Sequence, residues 1–485
     1  MTHTLVIGAG IGGLTTAALL LKAGHKVTVL ESHFYPGGSA GTFYYRRFRF
    51  NAGATLAGGF APGGPHHRLA EILGIEWPVK PVDPAWRVHL PNGRVVTQWG
   101  DPDRWHEERF EAFPRAEGFW KKQELLADIS WDISTRPFPW PPQSVRDIAT
   151  LATSMRPKTF LSLPYLFSTI GQIAPLDDPM FKAFLDAQLL IAAQATSEET
   201  SALYGAAALD LPRRGVNHVK NGIGGLSETL VDWIRQNGGE VHYRQRVDKI
   251  ELQNGKAHQV ITKKGTVFQA DNFVANVTPW ALQNLLEKQS PPSLNKKISK
   301  LDPTWGAFIL YLGIDSSKLP QGLPGHHQVI ADHTKPLGET NSVFVSFSDR
   351  DDPTRAPEGM QAVTMSTHTD IAPWWTLRNG DSKAAYEERR EQYAEKMIAT
   401  AEKAIPDLRK AITLCKPGTP VTFEFYTQRP LGMVGGFPQN SIFKSMGPKT
   451  AVPNLWMVGD SIFPGQSTAG VTLGGMRVAA EVLAN

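Results

Sequence analysis

Residues 4–13 read Thr4-Leu5-Val6-Ile7-Gly8-Ala9-Gly10-Ile11-Gly12-Gly13, and the reading of this stretch decides the fold. Thr4 to Ile7 predicts a short buried strand, the glycines predict a tight turn, and Leu14 to Lys22 has helix-forming composition. In a strand, turn and helix of this kind Gly8 permits the turn, Gly10 lets the backbone approach a pyrophosphate, and Gly13 lets helix and strand pack closely. The helix start, with Ile11 and Gly12, offers free amides to the anion. A second predicted strand, Lys26 to Leu30, ends in Glu31, 18 residues after Gly13, where a carboxylate can accept hydrogen bonds from a ribose 2′-hydroxyl. An unphosphorylated ribose is therefore favoured. Leu5 to Leu21 is apolar enough to suggest a signal peptide, but four glycines inside it, no basic n-region and the following Glu31 argue against one.

The other end of the chain carries a second glycine signature. Asn454 to Val458 predicts an apolar strand, followed by Gly459-Asp460, a Gly/Ser/Thr-rich stretch from Ser461 to Gly475, and a predicted helix from Met476 to Leu483. A strand ending in Gly-Asp can aim its carboxylate at a cofactor's sugar or ribityl hydroxyls. Amides at the next helix start, near Gly470 and Val471, can receive an electron-rich ring edge. An isolated Gly-Asp is more often a turn former or cap. Paired with the front motif, it predicts a flavin-holding terminus.

Glu31 to Phe43, Glu-Ser-His-Phe-Tyr-Pro-Gly-Gly-Ser-Ala-Gly-Thr-Phe, resembles the stretch after the first acid in FAD-linked carotenoid desaturases and isomerases. In the broader amine-oxidase group the paired glycines are usually followed by Arg. Here Ser39 follows Gly37-Gly38, and Pro-Gly-Gly-Ser looks most like plant and cyanobacterial carotenoid isomerases and related desaturases. Phe50-Asn51-Ala52-Gly53-Ala54-Thr55 is similar to their next element, and Gly459 to Gly465 followed by Gly470 is similar to their closing flavin motif. The resemblance implies bound FAD and an α/β fold, with a Rossmann-like FAD-binding domain interleaved with a mixed-sheet plus helical substrate-binding domain. It also implies cofactor contacts from Gly37, Gly38, Ser39, Ala54 and Thr55, from Val247 beside the adenine through its backbone, and from Asn276 where a strand returns toward the nucleotide.

At 485 residues, 41% hydrophobic and 20% charged, the chain is expected to be globular with two domains. A net charge of +4, from 50 basic and 46 acidic residues, is too balanced for nucleic acid, although the excess could favour an anionic membrane surface. The lone Cys415 excludes an internal disulfide and a cysteine-clustered metal site. Beyond the glycine-broken N-terminus no apolar run reaches the roughly 18 residues of a membrane span. Peripheral attachment at the cytoplasmic face of a membrane remains the expectation. The pairs His66-His67 and His326-His327 do not match zinc spacing, so no metal is expected and solvated or capping roles are predicted. No Gly-x-Ser-x-Gly elbow or phosphate loop is present.

The predicted organisation assigns residues 1–80, 211–285 and 429–485 to FAD binding. Residues 81–210 form a helical, Trp-rich, substrate- or membrane-associating part, and 286–428 the substrate-domain sheet and helices. Pro81 to Trp99 reads as a strand pair around Pro91-Asn92-Gly93, and Pro303 to Phe425 as strand-like runs with a charged helix from Ser382 to Ala404. Seven of the 13 tryptophans lie between Trp77 and Trp140, the last within Phe138-Pro139-Trp140-Pro141-Pro142. Phe160 to Phe167 follows. These segments read equally as core packing and as an apolar tunnel wall or interfacial surface.

A flavin beside an apolar channel lets the cofactor carry the hard step while the protein positions carbons against it. Each buried methylene favours entry by roughly 0.8 kcal/mol. The expectation is therefore an FAD-dependent carotenoid oxidoreductase, first a desaturase of a C40 polyene that passes electrons to a quinone or oxygen. Alternatives are a carotenoid cis-trans isomerase using reduced FAD, a polyene or retinol saturase, a flavin amine oxidase, and a prenyl-chain binder similar to Rab escort and GDP-dissociation-inhibitor proteins. His66 is a candidate proton donor near the flavin, and Arg429 is either a second donor or an anchor for backbone carbonyls.

Overall fold

In the computed structural model His3–Ile7 is the middle strand of a five-stranded parallel sheet, with Lys26–Leu30 on one side and Asn272–Ala275 on the other. Glu240–His242 and Leu455–Met457 form the two edges. The structure describes residues 1–136, 140–142, 145–301, 304–380, 382–441, 443 and 445–485. Leu5, Val6, Val27, Val29, Phe273 and Val274 are fully buried, because helices cover both faces of a parallel sheet and its strands become continuous apolar runs. The chain leaves the central strand toward Lys26–Leu30 and later resumes on the opposite side with Asn272–Ala275. A crevice opens at such a reversal, beyond the C-terminal ends of the strands. Gly8, Glu31, Asn276 and Gly459 all follow those ends.

Two helix starts lie earlier than composition predicts. The first helix spans Ile11–Lys22 rather than beginning at Leu14, and the last spans Thr468–Leu483 rather than beginning at Met476. Ser467 initiates the last helix, its Oγ accepting from the Gly470 amide at 3.0 Å. The glycines within it are a contact surface: a Cβ on Gly475 would lie 2.7 Å from the Gly12 carbonyl oxygen.

A second sheet of seven strands runs in the order Ile412–Gly418, Gly306–Asp315, Met360–Thr369, Ser342–Phe347, His326–Ile330, Trp86–His89, Val95–Gln98. The predicted strand pair is an antiparallel hairpin turning at Gly93 (φ 86°), and it joins the sheet by parallel pairing with His326–Ile330. One face of this sheet packs Phe308, Leu310 and Val345 on the helix Lys383–Glu402 and on Trp374. Toward the other face stand the helices Glu117–Ser134, Pro179–Ala193 and Ala202–Leu209. The tryptophans divide between both predicted roles. Trp77, Trp105 and Trp120 are core residues, whereas Trp86, Trp131 and Trp140 line a cavity. Phe138, Pro139 and Pro303 lie outside the described residues. Among the described residues no helix is long and apolar enough to cross a membrane.

The histidine pairs are a correction to the sequence reading, because His66, His326 and His327 are buried rather than solvated. His326 and His327 sit on a strand covered on both faces. Ser346 Oγ lies 2.8 Å from His326 Nδ1, and His218 Nε2 lies 3.3 Å from His326 Nε2. His327 Nε2 donates to the Pro324 carbonyl at 3.0 Å, so its Nδ1 accepts from His89 Nε2, also at 3.0 Å. Burial lowers His327 to about 4, His368 to about 4 and His66 to about 3, and holds His326 well below the usual range. These rings stay neutral when folded, while the unfolded chain binds protons below its ordinary histidine value of about 6.5. Their stabilisation is therefore full above about pH 6.5 and is lost as pH falls toward about 4, by about 1 kcal/mol per pH unit for each ring. Urea unfolding from about pH 7 to about pH 5 is expected to show this loss, with a shallower slope in His66→Phe by about one ring's share. Equal slopes in the two proteins would refute the assignment.

Candidate active site

The glycine turn at the end of the central strand is held open for a ligand by its neighbours. Gly8 (φ 94°) donates its amide to the Leu30 carbonyl at 2.7 Å, and the Ala9 amide donates to Glu31 Oε2 at 2.8 Å. Glu31 Oε1 accepts from the His33 amide at 2.7 Å and from Ser32 Oγ at 3.0 Å. The carboxylate is thus fixed at the rim of the crevice. Asn276 is the stop against which both glycine signatures close. A Cβ on Gly10 would lie 2.6 Å from Asn276 Nδ2, and one on Gly459 2.9 Å from Asn276 Oδ1.

Gly37 to Ser39 fold back onto this turn. The Gly37 amide donates to the Ala9 carbonyl at 2.8 Å, and the Ala54 amide donates to the Ser39 carbonyl at 3.1 Å. Tyr311 hydroxyl pins the same segment by donating to the Ala52 carbonyl at 2.6 Å, and burial raises its phenol far above the ordinary range. Gln245 stands two residues before Val247, and its Oε1 is buried without a partner.

The closing motif is tied down by Arg429. Its guanidinium donates to Asp460 at 2.9 and 3.2 Å, to the Met433 carbonyl at 2.8 Å and to the Gly435 carbonyl. Arg429 is therefore an anchor for carbonyls and for the Asp460 carboxylate, not a proton donor. Gly470 and Val471 line the crevice, but their amides are taken by Ser467 Oγ and by the Ser467 carbonyl, each at 3.0 Å. With the helix beginning at Thr468, the amides without an intrahelical partner are those of Thr468 and Ala469.

All of these positions converge. Gly8, Gly10, Ile11, Gly12, Glu31, Gly37, Gly38, Ser39, Ala54, Thr55, Val247, Asn276, Gly459, Asp460, Gly470 and Val471 line one cavity of about 1630 Å³. Gly13 lies behind the wall, where a Cβ would approach the Gly8 carbonyl oxygen to 2.5 Å. His66 is not on the wall. It is fully buried, stacks on Phe60 at 4.5 Å, and is held neutral with its pKa near 3, so it cannot deliver a proton to the cavity.

Beyond the glycine turns the cavity runs between the seven-stranded sheet and its helices, past Ile309, Phe344, Ile191, Leu203 and Leu209 to Met155 and Leu163. Its floor reaches from the strand of Tyr311 to the strand of Gln98, five inter-strand steps of about 4.8 Å, or about 24 Å. On the wall stands a polar pair that sequence reasoning missed. Gln194 Nε2 lies 3.3 Å from His368 Nε2, and the neutral ring accepts from the amide. Strand alternation alone could have put His368 on the same face as Ser366. Among the described residues no group of three or more His, Cys, Asp or Glu could hold a metal ion.

A family model for flavin-containing amine oxidoreductases matches residues 11–483. The chain belongs to this family. It is an FAD-dependent oxidoreductase, and the crevice fits the cofactor: glycine turns that a Cβ would block, a carboxylate at the ribose end and an unpartnered buried acceptor at Gln245. The chain is 31% identical to a chloroplastic prolycopene isomerase from Daucus carota, over 99% of this chain and 80% of that protein. It is 23% identical to a 4,4'-diapophytoene desaturase from Methylomonas sp, over 96% of this chain and 91% of that protein. An oxidoreductase from Methanosarcina mazei shares the fold, with a TM-score of 0.66 at 21% identity, over 99% of this chain and 100% of that one.

Glu31→Ala and Asp460→Ala are each expected to lower FAD affinity by about tenfold through lost hydrogen bonds to charged acceptors. Flavin-to-protein absorbance ratios after dialysis measure this. Unchanged ratios would remove these carboxylates from the site.

Proposed function

We propose that the chain binds a carotenoid-type polyene in the apolar arm of the cavity and alters its double bonds beside bound FAD. The observation that carries this reading is the continuity of one cavity from the glycine turns to an arm about 24 Å long. Its volume of about 1630 Å³ exceeds the roughly 300–1,000 Å³ of an ordinary ligand pocket, leaving room for a dinucleotide and a long chain together. When bound, FAD supplies two-electron exchange at its ring, as an oxidant of a saturated bond or, once reduced, as an electron donor to a conjugated one. The chain's own residues orient and seclude. Ile309, Phe344 and Leu209 would strip water from the polyene, and the Asp460–Arg429 pair with the first-turn amides of the last helix would hold the cofactor.

Of the two carotenoid reactions, the 31% identity to a prolycopene isomerase, against 23% to a diapophytoene desaturase, supports testing cis-trans isomerisation first, with desaturation, the first expectation from the sequence, beside it. Only desaturation needs an electron acceptor, a quinone or oxygen. We assign residues 1–80, 211–285 and 429–485 to cofactor binding and the remainder to the substrate. An anaerobic incubation with poly-cis carotenoids in liposomes, resolved by chromatography, separates the reactions. An all-trans product that forms only after chemical reduction of the flavin supports isomerisation. Flavin bleaching with a longer polyene chromophore would establish desaturation instead, and no product in either state would sink the polyene reading.

A membrane would be the source of such a substrate. Met155 and Leu163 line the cavity yet are partly exposed, and Phe160, Leu161 and Phe167 stand exposed in the same segment. Phe443, also on the wall, stacks on Phe167 at 5.4 Å, and the basic residues Arg146, Arg156 and Lys158, nearby in the chain, are exposed. The protein is expected to float with anionic liposomes, and Phe160→Glu combined with Phe167→Glu to lower the bound fraction several-fold without changing flavin content. Equal flotation of the two proteins would exclude this surface.

A further inference from the structure

The apolar arm has an open end and a closed one. It opens where Leu163 and Phe443 stand exposed on its rim. It closes at the terminal hairpin of the seven-stranded sheet. Between Leu56 and Ser130 only Trp86 and Gln98 line the cavity, and as direct partners across the hairpin they share one face of the sheet. Behind them the helix Pro102–Ala112 covers the sheet edge, with Glu108 accepting from the Thr97 amide at 2.8 Å and from Trp99 Nε1 at 3.1 Å. No residue of that helix reaches the cavity.

Trp86, the larger of the two end residues, is held in place from both sides. Its Nε1 donates to Gln188 Oε1 at 3.0 Å from the covering helix Pro179–Ala193, and its ring meets Phe344 edge-on with centroids 6.2 Å apart. Gln188 Nε2 donates to Gln328 Oε1, and Gln328 Nε2 donates to the Ala187 carbonyl at 3.0 Å. Both glutamines are buried, so swinging the indole aside would leave a buried acceptor unpaired, which is destabilising. The strand of Trp86 lies four inter-strand steps, or about 19 Å, from that of Tyr311, which pins the Ala52 segment of the cofactor wall.

A hydrocarbon polyene offers an apolar arm no polar group by which to fix its register. Apolar burial is non-directional and follows area, so placements that differ by one double bond are nearly equivalent. Each further carbon that leaves water draws the chain deeper until a wall is met. We propose that Trp86 is this wall: the leading end of the polyene abuts the indole, and the distance from Trp86 to the glycine turns selects which double bond lies beside the flavin. Trp86 is then a specificity-determining residue that acts from the far end of the site. This rests on the polyene reading of the cavity.

The test gives flavin-loaded protein a series of polyenes of different total length in liposomes, with the flavin oxidised and, in parallel, chemically reduced. Chromatography and nuclear magnetic resonance locate the altered bond in each product. The unmodified protein is expected to alter a bond at one fixed distance from the leading end, whatever the length of the polyene. In Trp86→Ala the chain enters deeper, and the altered bond moves at least one double bond further from that end. Trp86→Phe keeps a smaller ring against Phe344 and is expected to give a mixture of the native and shifted positions. Flavin content shows which variants have kept the native fold. A position that varies with polyene length in the unmodified protein, or one that stays native in every variant that holds flavin, overturns the proposal and leaves the polyene reading standing. If the unmodified protein alters no polyene in either flavin state, the polyene reading falls and this inference falls with it.

Discussion

The contact on which the rest of the structure depends is the crossing of the first and last helices at Gly12 and Gly475. A Cβ on Gly475 would meet the Gly12 carbonyl oxygen at 2.7 Å, so the two backbones touch, and Thr16 Oγ bridges them by reaching both the Gly12 and Gly475 carbonyls. This approach brings residues from opposite ends of the chain into one wall. A Cβ on Gly12 would also lie 3.3 Å from the Gly459 amide nitrogen, so the second signature is seated against the first. A larger side chain at the crossing would separate the helices and draw Asp460 away from the crevice that Gly8 and Glu31 begin. Close packing is here the condition for the site.

The strand, turn and helix of the front motif were legible because each residue type has one physical use there: the turn needs positive φ at Gly8, and Gly10 and Gly13 leave no room for a Cβ. Glu31 was legible for the same reason, as the acid that ends the second strand. The last helix was misjudged by eight residues because glycine was scored for its poor helix propensity, while Gly475 serves an interhelical contact that local composition does not record. The histidines were misjudged for a related reason. Whether His326 meets water depends on a strand joining from another part of the chain, and no local pattern reports that.

The long-range pairing is also what could not be read. Trp86–His89 and Val95–Gln98 announce a hairpin through Pro91-Asn92-Gly93, yet nothing in their sequence says that the hairpin pairs in parallel with His326–Ile330. Val216–Val219 likewise bridges Val79–Val82 and Ala57–Gly58 without an evident local signal. Pairing between distant segments, parallel or antiparallel, leaves no turn to recognise, and the register is set by tertiary packing. Gln194 and His368 meet across the cavity under the same limitation.

That unread pairing sets the length of the cavity. Without the hairpin the sheet would end at His326–Ile330, and the floor would be shorter by two strands, about 10 Å. The joint includes a bond in which His89 Nε2 donates to His327 Nδ1, which requires His327 to be neutral, and burial keeps both rings so. A protonated His327 would present a second donor to His89, and the joint would lose its acceptor. His89 and His327, which do not line the cavity, thus help to fix how far a ligand can lie from the glycine turns. The glycine crossing builds the cofactor end and the histidine joint builds the distal end, and the reach of the site is the distance between these two packing solutions.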